Sequence, residues 1–275
     1  MLFCREHAGT DRTRPERNTI ALDYLSKGLE EATCRWNLSK TQNAQKTIMR
    51  KQMLFLIGDS RMRLFYLHLQ RFLRPNGIET STPFLTDLSR VMERESAHPD
   101  QPILRYYPSK YPSAEEMEEI LTAVVSEISR GNERRNVLLY ETGAWPLYTY
   151  GVQGLGQFHE NLTVVAKRFQ RLPRDVVVIW MQTLPFHPGV QSSHNKWVSE
   201  RRGIFQLIER FGGIVRKVAV SHNFTLWSSA HDLALRHPEL YIDRVHGNRE
   251  LNHQFFHQLL CASAETLQAA LEATA

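Results

Sequence analysis

Met53-Leu54-Phe55-Leu56-Ile57-Gly58-Asp59-Ser60-Arg61-Met62-Arg63 is the stretch on which the fold turns. An unbroken apolar run closed by glycine reads as a strand buried on both faces, the kind found inside parallel sheets. Beyond the glycine, Met62, Phe65, Leu69 and Phe72 recur at helical spacing until Pro75-Asn76-Gly77 ends the pattern. A buried strand that runs straight into a helix is the repeating element of α/β proteins.

Working outward, the same alternation continues. Ser113 with Glu116 makes a capping-box pattern, and Met117, Ile120, Leu121, Val124, Val125 and Ile128 form one apolar stripe up to Gly131-Asn132. Apolar runs at 137–140, 176–181 and 214–220 read as further buried strands. Helical patterns lie between them at 162–169 and 197–211, and a last helix runs from about Arg249 through Leu259. With no hairpin signal, the expectation is a three-layer αβα domain over 51–275 with a mainly parallel central sheet. Residues 1–50 are polar and aperiodic and read as an N-terminal extension, partly flexible.

Composition agrees with a globular chain and narrows its class. The 275 residues are 42% hydrophobic with a formal net charge of +5, which excludes disorder for most of the chain. Cys4, Cys34 and Cys261 are too few for a disulfide scaffold. No apolar run reaches the roughly 18–20 residues that span a bilayer, and the start shows no signal-peptide core. The pI of about 9.2 comes from scattered basic residues intermixed with acids, so no nucleic-acid partner is expected.

Ligands of parallel sheets bind at the carboxyl ends of the strands, so chemistry is sought after Ile57, Tyr140, Met181 and Val220. After Ile57 stands Gly58-Asp59-Ser60, which puts a serine at a strand-to-helix turn. There the helix N–H groups and dipole favour an alkoxide or oxyanion. Taken alone, Asp59 or Ser60 also reads as an ordinary helix cap, which is what these residue types most often are at such a turn. A nucleophilic serine needs a base and the base an orienting acid, and Asp243-Arg244-Val245-His246 offers both on one turn before the last helix.

With these elements in this order, the chain resembles the SGNH/GDSL-like hydrolase superfamily, and within it the PC-esterase branch related to sialic-acid and plant cell-wall polysaccharide O-acetyltransferases. The resemblance spans about residues 50–261 and is carried by 55–63, by Glu141-Thr142-Gly143-Ala144-Trp145 and by 243–246. It implies Ser60 as nucleophile, His246 as base and Asp243 as its partner. It also implies a flavodoxin-like sheet topology and oxyanion or substrate contacts around Gly58, Asp59, Arg61, Arg63, Glu141 and Gly143, with no cofactor and no metal. Trp145 reads as a wall of the substrate pocket or as a packing residue, and Gln182, at the end of the 176–181 run, as a substrate contact or as a loop cap. The implied partner is a small-molecule or carbohydrate acyl ester, and the acetyl donor of a transferase is unknown. A Cys34–Cys261 disulfide and a secretory or Golgi lumen are implied by the resemblance, with the cytoplasm otherwise; oligomeric state is not legible.

The sequence departs from the resembled pattern at Glu141, where relatives carry an oxyanion-donating asparagine, and at Arg244, where many have glycine. An ionised carboxylate cannot donate a hydrogen bond and repels an oxyanion. Either Glu141 is protonated, or it points elsewhere, or backbone N–H groups at Ser60 form the hole, with Arg61 and Arg63 as electrostatic compensation. The leading expectation is a Ser-His-Asp acyl-ester hydrolase or O-acetyltransferase working through an acyl-enzyme. The alternative is a catalytically impaired binding protein on the same fold.

Other features carry less. His253 and His257 share a helix face, but Gln254 replaces the glutamate that a zinc-protease pattern requires. Gly151-Val152-Gln153-Gly154-Leu155-Gly156 follows no strand and reads as a flexible loop beside the site. Asn37, Asn161 and Asn223 open glycosylation sequons that matter only in a secretory compartment.

Overall fold

The structure, a computed structural model, describes residue 49 and residues 52–73, 103–130, 135–200 and 202–272, without the side chains of 103 and 263–272. The expected N-terminal extension therefore lies outside the described residues, except for Met49, which is buried in the core.

In chain order the elements are β1 (Gln52–Gly58), α1 (Ser60–Leu73), β2 (Ile103–Pro108), α2 (Ala114–Ile128), β3 (Arg135–Tyr140), α3 (Ala144–Tyr150), α4 (Leu155–Phe169), β4 (Val176–Met181), α5 (Trp197–Glu200), α6 (Ile204–Ser221), β5 (Thr225–Trp227), α7 (Ser229–Arg236) and α8 (Arg249–Glu272). The sheet has five strands in the order β2-β1-β3-β4-β5, and every neighbouring pair is parallel. This is the expected flavodoxin-like order, with its switch point between β1 and β3.

Strand periodicity divides the core. Leu54 and Leu56 of β1, with Val137, Leu139, Ile179 and Met181, face α1, α7 and α8. Phe55 and Ile57, with Leu138, Tyr140, Val178 and Trp180, face α2, α4 and α6. Burial on both sides explains why β1, β3 and β4 read as continuous apolar runs rather than alternating ones.

Two expectations are corrected. Residues 214–220 are not a strand: they continue α6, whose Ile204, Ile208, Phe211, Val215 and Val218 are buried at helical spacing while Val220 is 60% exposed. The strand that ends this half of the sheet is the short β5, so the site at that edge follows Trp227 rather than Val220. The edge strand β2 was not foreseen; Arg105 interrupts its apolar pattern and is neutralised by Glu127 at 2.9 and 3.0 Å. Residues 151–154 form a 3-10 turn leading into α4 rather than an irregular loop.

Ser113 accepts the Glu116 N–H at 3.3 Å and caps α2 as its pattern indicates. No described helix is long and apolar enough to cross a membrane. Cys261 is disulfide-bonded; Cys34, the partner expected for it, lies outside the described residues.

Candidate active site

Gly58 lets β1 turn where β3 turns. A Cβ there would sit 2.8 Å from the Glu141 carbonyl and 2.9 Å from Met62 Cβ, so only glycine fits this crossing. The buried Tyr106 hydroxyl donates to both the Gly58 and Asp59 carbonyls at 3.0 Å and fixes the turn from β2. Asp59 Oδ1 accepts the Arg61 N–H at 2.8 Å and starts α1. Ser60 thus stands at the first residue of a 14-residue helix, partly exposed, on a turn held from two sides.

Against it comes the turn before α8. Ser60 Oγ lies 2.7 Å from His246 Nε2, and His246 Nδ1 lies 2.8 Å from Asp243 Oδ2. The other carboxylate oxygen of Asp243 accepts the N–H groups of Val245 at 2.7 Å and His246 at 2.9 Å, so the carboxylate folds its own turn. Burial pushes the Asp243 carboxyl up, but these hydrogen bonds and the His246 ring outweigh it and hold the group down at about 2. With Asp243 ionised, Nδ1 carries the ring proton and Nε2 accepts from the serine hydroxyl, a tautomer assigned from the bonding pattern.

Glu141, expected at the oxyanion position, is paired with Arg61. It is buried, and its Oε1 lies 2.5 Å from Arg61 Nη2. Arg61, expected beside the substrate, is buried as well; it also donates to the Leu184 carbonyl at 3.0 Å, and its Nε lies 3.6 Å from Asp59. Burial, with the Asp59 charge adding to it, pushes the Glu141 carboxyl up to about 8 against the pull of Arg61, while Glu141 and Asp59 keep the guanidinium charged despite its burial. One side chain thus ties together the turns after β1, β3 and β4.

Gln182 is likewise buried, and its Oε1 accepts from Arg216 of α6 at 3.0 Å. Gly143 has φ +134°, and a Cβ there would meet Thr183 at 2.5 Å. Among the described residues no acceptor is found for the backbone N–H of Ser60 or of Gly143. Arg63 is half-buried on the first turn of α1. Trp145 is half-buried on α3, with the Lys110 ammonium 4.8 Å from its ring centre.

Sequence reading did not reach Tyr106, Asn195 or a third histidine. Tyr106 lies in the unforeseen strand, and Asn195 in a loop without periodicity. His68 of α1 lies 3.4 Å from His253, and His253 lies 3.0 Å from His257 through its opposite ring nitrogen. These nitrogens do not converge, and among the described residues no group of three or more such side chains is placed to hold a metal ion.

No protein-family model matches the chain, and a search of curated proteins returns no match. Among solved structures the chain is similar to an acetyl xylan esterase, with 16% identity over 76% of this chain and 99% of that one, at a TM-score of 0.48. It is also similar to a lipolytic protein of the G-D-S-L family from Veillonella parvula, with 11% identity over 79% and 97% of the two chains and a TM-score of 0.44. An α/β hydrolase from the metagenome of Lake Arreo, Spain, gives 12% identity over 78% and 95%, with a TM-score of 0.45.

Proposed function

We propose that the chain is a serine-dependent acyl-ester hydrolase of SGNH/GDSL type, its catalytic domain spanning 51–275 with 1–50 as an extension. The observation that carries this reading is the continuous line of hydrogen bonds from Ser60 Oγ through His246 to Asp243. Ser60 attacks the acyl carbonyl while His246 Nε2 takes its proton. Asp243 orients the ring and stabilises the imidazolium. Backbone N–H groups of Ser60 and Gly143 receive the oxyanion, since Glu141 is committed to Arg61. Collapse breaks the ester bond, His246 returns its proton to the leaving alcohol, and an acyl-enzyme remains. A second acceptor, activated by His246, then releases the acyl group.

In its finer form the reading is an acetyl or other short acyl group carried by a carbohydrate, as the resemblance to the PC-esterase branch implies. Water as acceptor makes an esterase and a sugar hydroxyl an O-acetyltransferase. The binding-protein alternative rests on Glu141, and the pairing of its carboxyl with Arg61 supports the hydrolase reading over it.

A fluorophosphonate probe tests the reading, applied to the wild type and to Ser60→Ala and His246→Ala beside an acetate-release assay. Labelling and turnover in the wild type, lost in both variants, is the expected result. An unlabelled wild type, or equal labelling of Ser60→Ala, overturns it.

A further inference from the structure

Arg244, placed between the acid and the base, fastens a loop. Its Nε donates to the Pro188 carbonyl at 3.3 Å, and its Nη1 to the carbonyls of Ser192 at 2.7 Å and His194 at 3.2 Å. The main chain adds another link, with the His187 N–H donating to the Arg244 carbonyl at 3.0 Å. Residues 187–194 are therefore held to the turn that carries His246.

At the end of this loop Asn195 adopts φ +53°, a left-handed conformation that asparagine tolerates. Its Oδ1 accepts the Trp197 indole N–H at 3.3 Å, and its Nδ2 lies 3.4 Å from His246 Nδ1. Since Nδ1 gives its proton to Asp243, that last contact pairs two donors, and the Asn195 amide keeps its donor capacity for another acceptor. Trp197 meets Tyr148 with ring centres 4.8 Å apart, and Tyr148 meets Trp145 at 5.7 Å. Tyr148 is 42% exposed, and both tryptophans are half-buried. An arc of rings thus leads away from His246 along the carboxyl end of the sheet.

Chemistry says what this arc meets. The base that takes the serine proton returns it to the leaving alcohol, so the alcohol half of an ester must lie on the His246 side of the carbonyl. Aromatic faces bury apolar ring surface at low entropic cost, and a nearby amide donor serves a hydroxyl. We propose that Trp197, Tyr148 and Asn195 form the subsite for the alcohol half of the ester, held in place by Arg244, and that it selects ring-shaped polyols over short open-chain alcohols. This rests on the serine-ester reading above. Arg244 acts as a positioning residue.

The test reads binding rather than turnover. The Ser60→Ala chain is titrated with methyl 6-O-acetylglucopyranoside and with propanediol monoacetate, followed by ligand-observed magnetic resonance. The expected result is at least about tenfold tighter binding of the ring ester, abolished by adding Trp197→Ala or Arg244→Gly. Arg244→Gly also speeds amide exchange across 188–195, while the other loops keep their rates. Equal binding of the two esters, or a preference that survives Trp197→Ala, overturns the subsite. Should Arg244→Gly fail to fold, Trp197→Ala decides alone. A wild type that binds the ring ester while Ser60 stays unlabelled by fluorophosphonate overturns the esterase reading and leaves the subsite standing.

Discussion

Arg61 Nη2 lies 2.5 Å from Glu141 Oε1, with both side chains sealed from solvent. Removing one partner of such a pair leaves a buried charge, which costs about 3–5 kcal/mol, whereas replacing both by apolar groups is often close to neutral. Glu141→Asn is therefore expected to lower stability by that order and to bring no gain in ester turnover. Arg61→Met with Glu141→Leu should lose far less than the two single changes added together. Urea unfolding of the wild type, Arg61→Met, Glu141→Leu and the double variant measures the coupling, and a faster Glu141→Asn protein would place the carboxyl back at the oxyanion.

Asp243→Asn keeps the size of the side chain but removes the charge that sets the His246 tautomer. The expected loss in kcat is on the order of 10³-fold or more, with KM little changed. Because the Asp243 carboxyl is held at about 2, the wild type keeps this charge throughout the range where esters can be assayed. Progress curves for wild type and variant with one acetyl ester measure the ratio, and a loss of only a few fold would remove Asp243 from the mechanism.

Gly58→Ala would push a methyl group to 2.8 Å from the Glu141 carbonyl and 2.9 Å from Met62 Cβ. Neither neighbour is the end of a flexible chain, so the turn must shift, at a cost of about 1–3 kcal/mol. As the same turn carries Ser60, fluorophosphonate labelling should slow as well. An unchanged labelling rate in a destabilised variant would separate the crossing from the placement of the serine.

Acid should loosen the packing of α8 on α1. Burial pushes His68 down to about 4, with His253, Arg249 and Arg71 adding repulsion and Glu250 opposing them. The unfolded chain takes up this proton near its ordinary value of 6.5, the folded chain only near 4, so the stability His68 contributes is complete above the first and is lost as pH falls toward the second. His257 is held down in the same sense by burial and by His253. The urea midpoint of the wild type should fall between about pH 7 and pH 5, and that of His68→Phe should fall less. Parallel slopes would show that the histidines do not govern the docking of α8.

The elements that were legible in the sequence are those whose cause is local. Burial on both faces makes β1 a continuous apolar run, and a glycine that no Cβ can replace closes it. The α2 cap is written in Ser113 and Glu116. Misreading set in where one composition serves two structures: Ile214, Val215, Val218 and Val220 suit a strand, yet the stripe begun at Ile204 and Ile208 carries the helix through Gly212 and Gly213 to Ser221. β5 spans only Thr225–Trp227, too short for any period to register. At the site, the order of serine, aspartate and histidine was visible, but the direction of Glu141 was not. It is decided by Arg61, which reaches the end of β3 from the first turn of α1. Arg244 and its loop meet only because β4 and the turn before α8 emerge at the same end of the sheet.

The contact between Ser60 and His246 joins positions 186 residues apart. During synthesis at about 5–20 residues per second, the serine precedes its base by roughly 10–40 s. Throughout that interval, the nascent polypeptide holds its proposed nucleophile in a harmless form. Competence would arrive all at once, when the final helix docks, and any chain cut short before residue 243 would never acquire it.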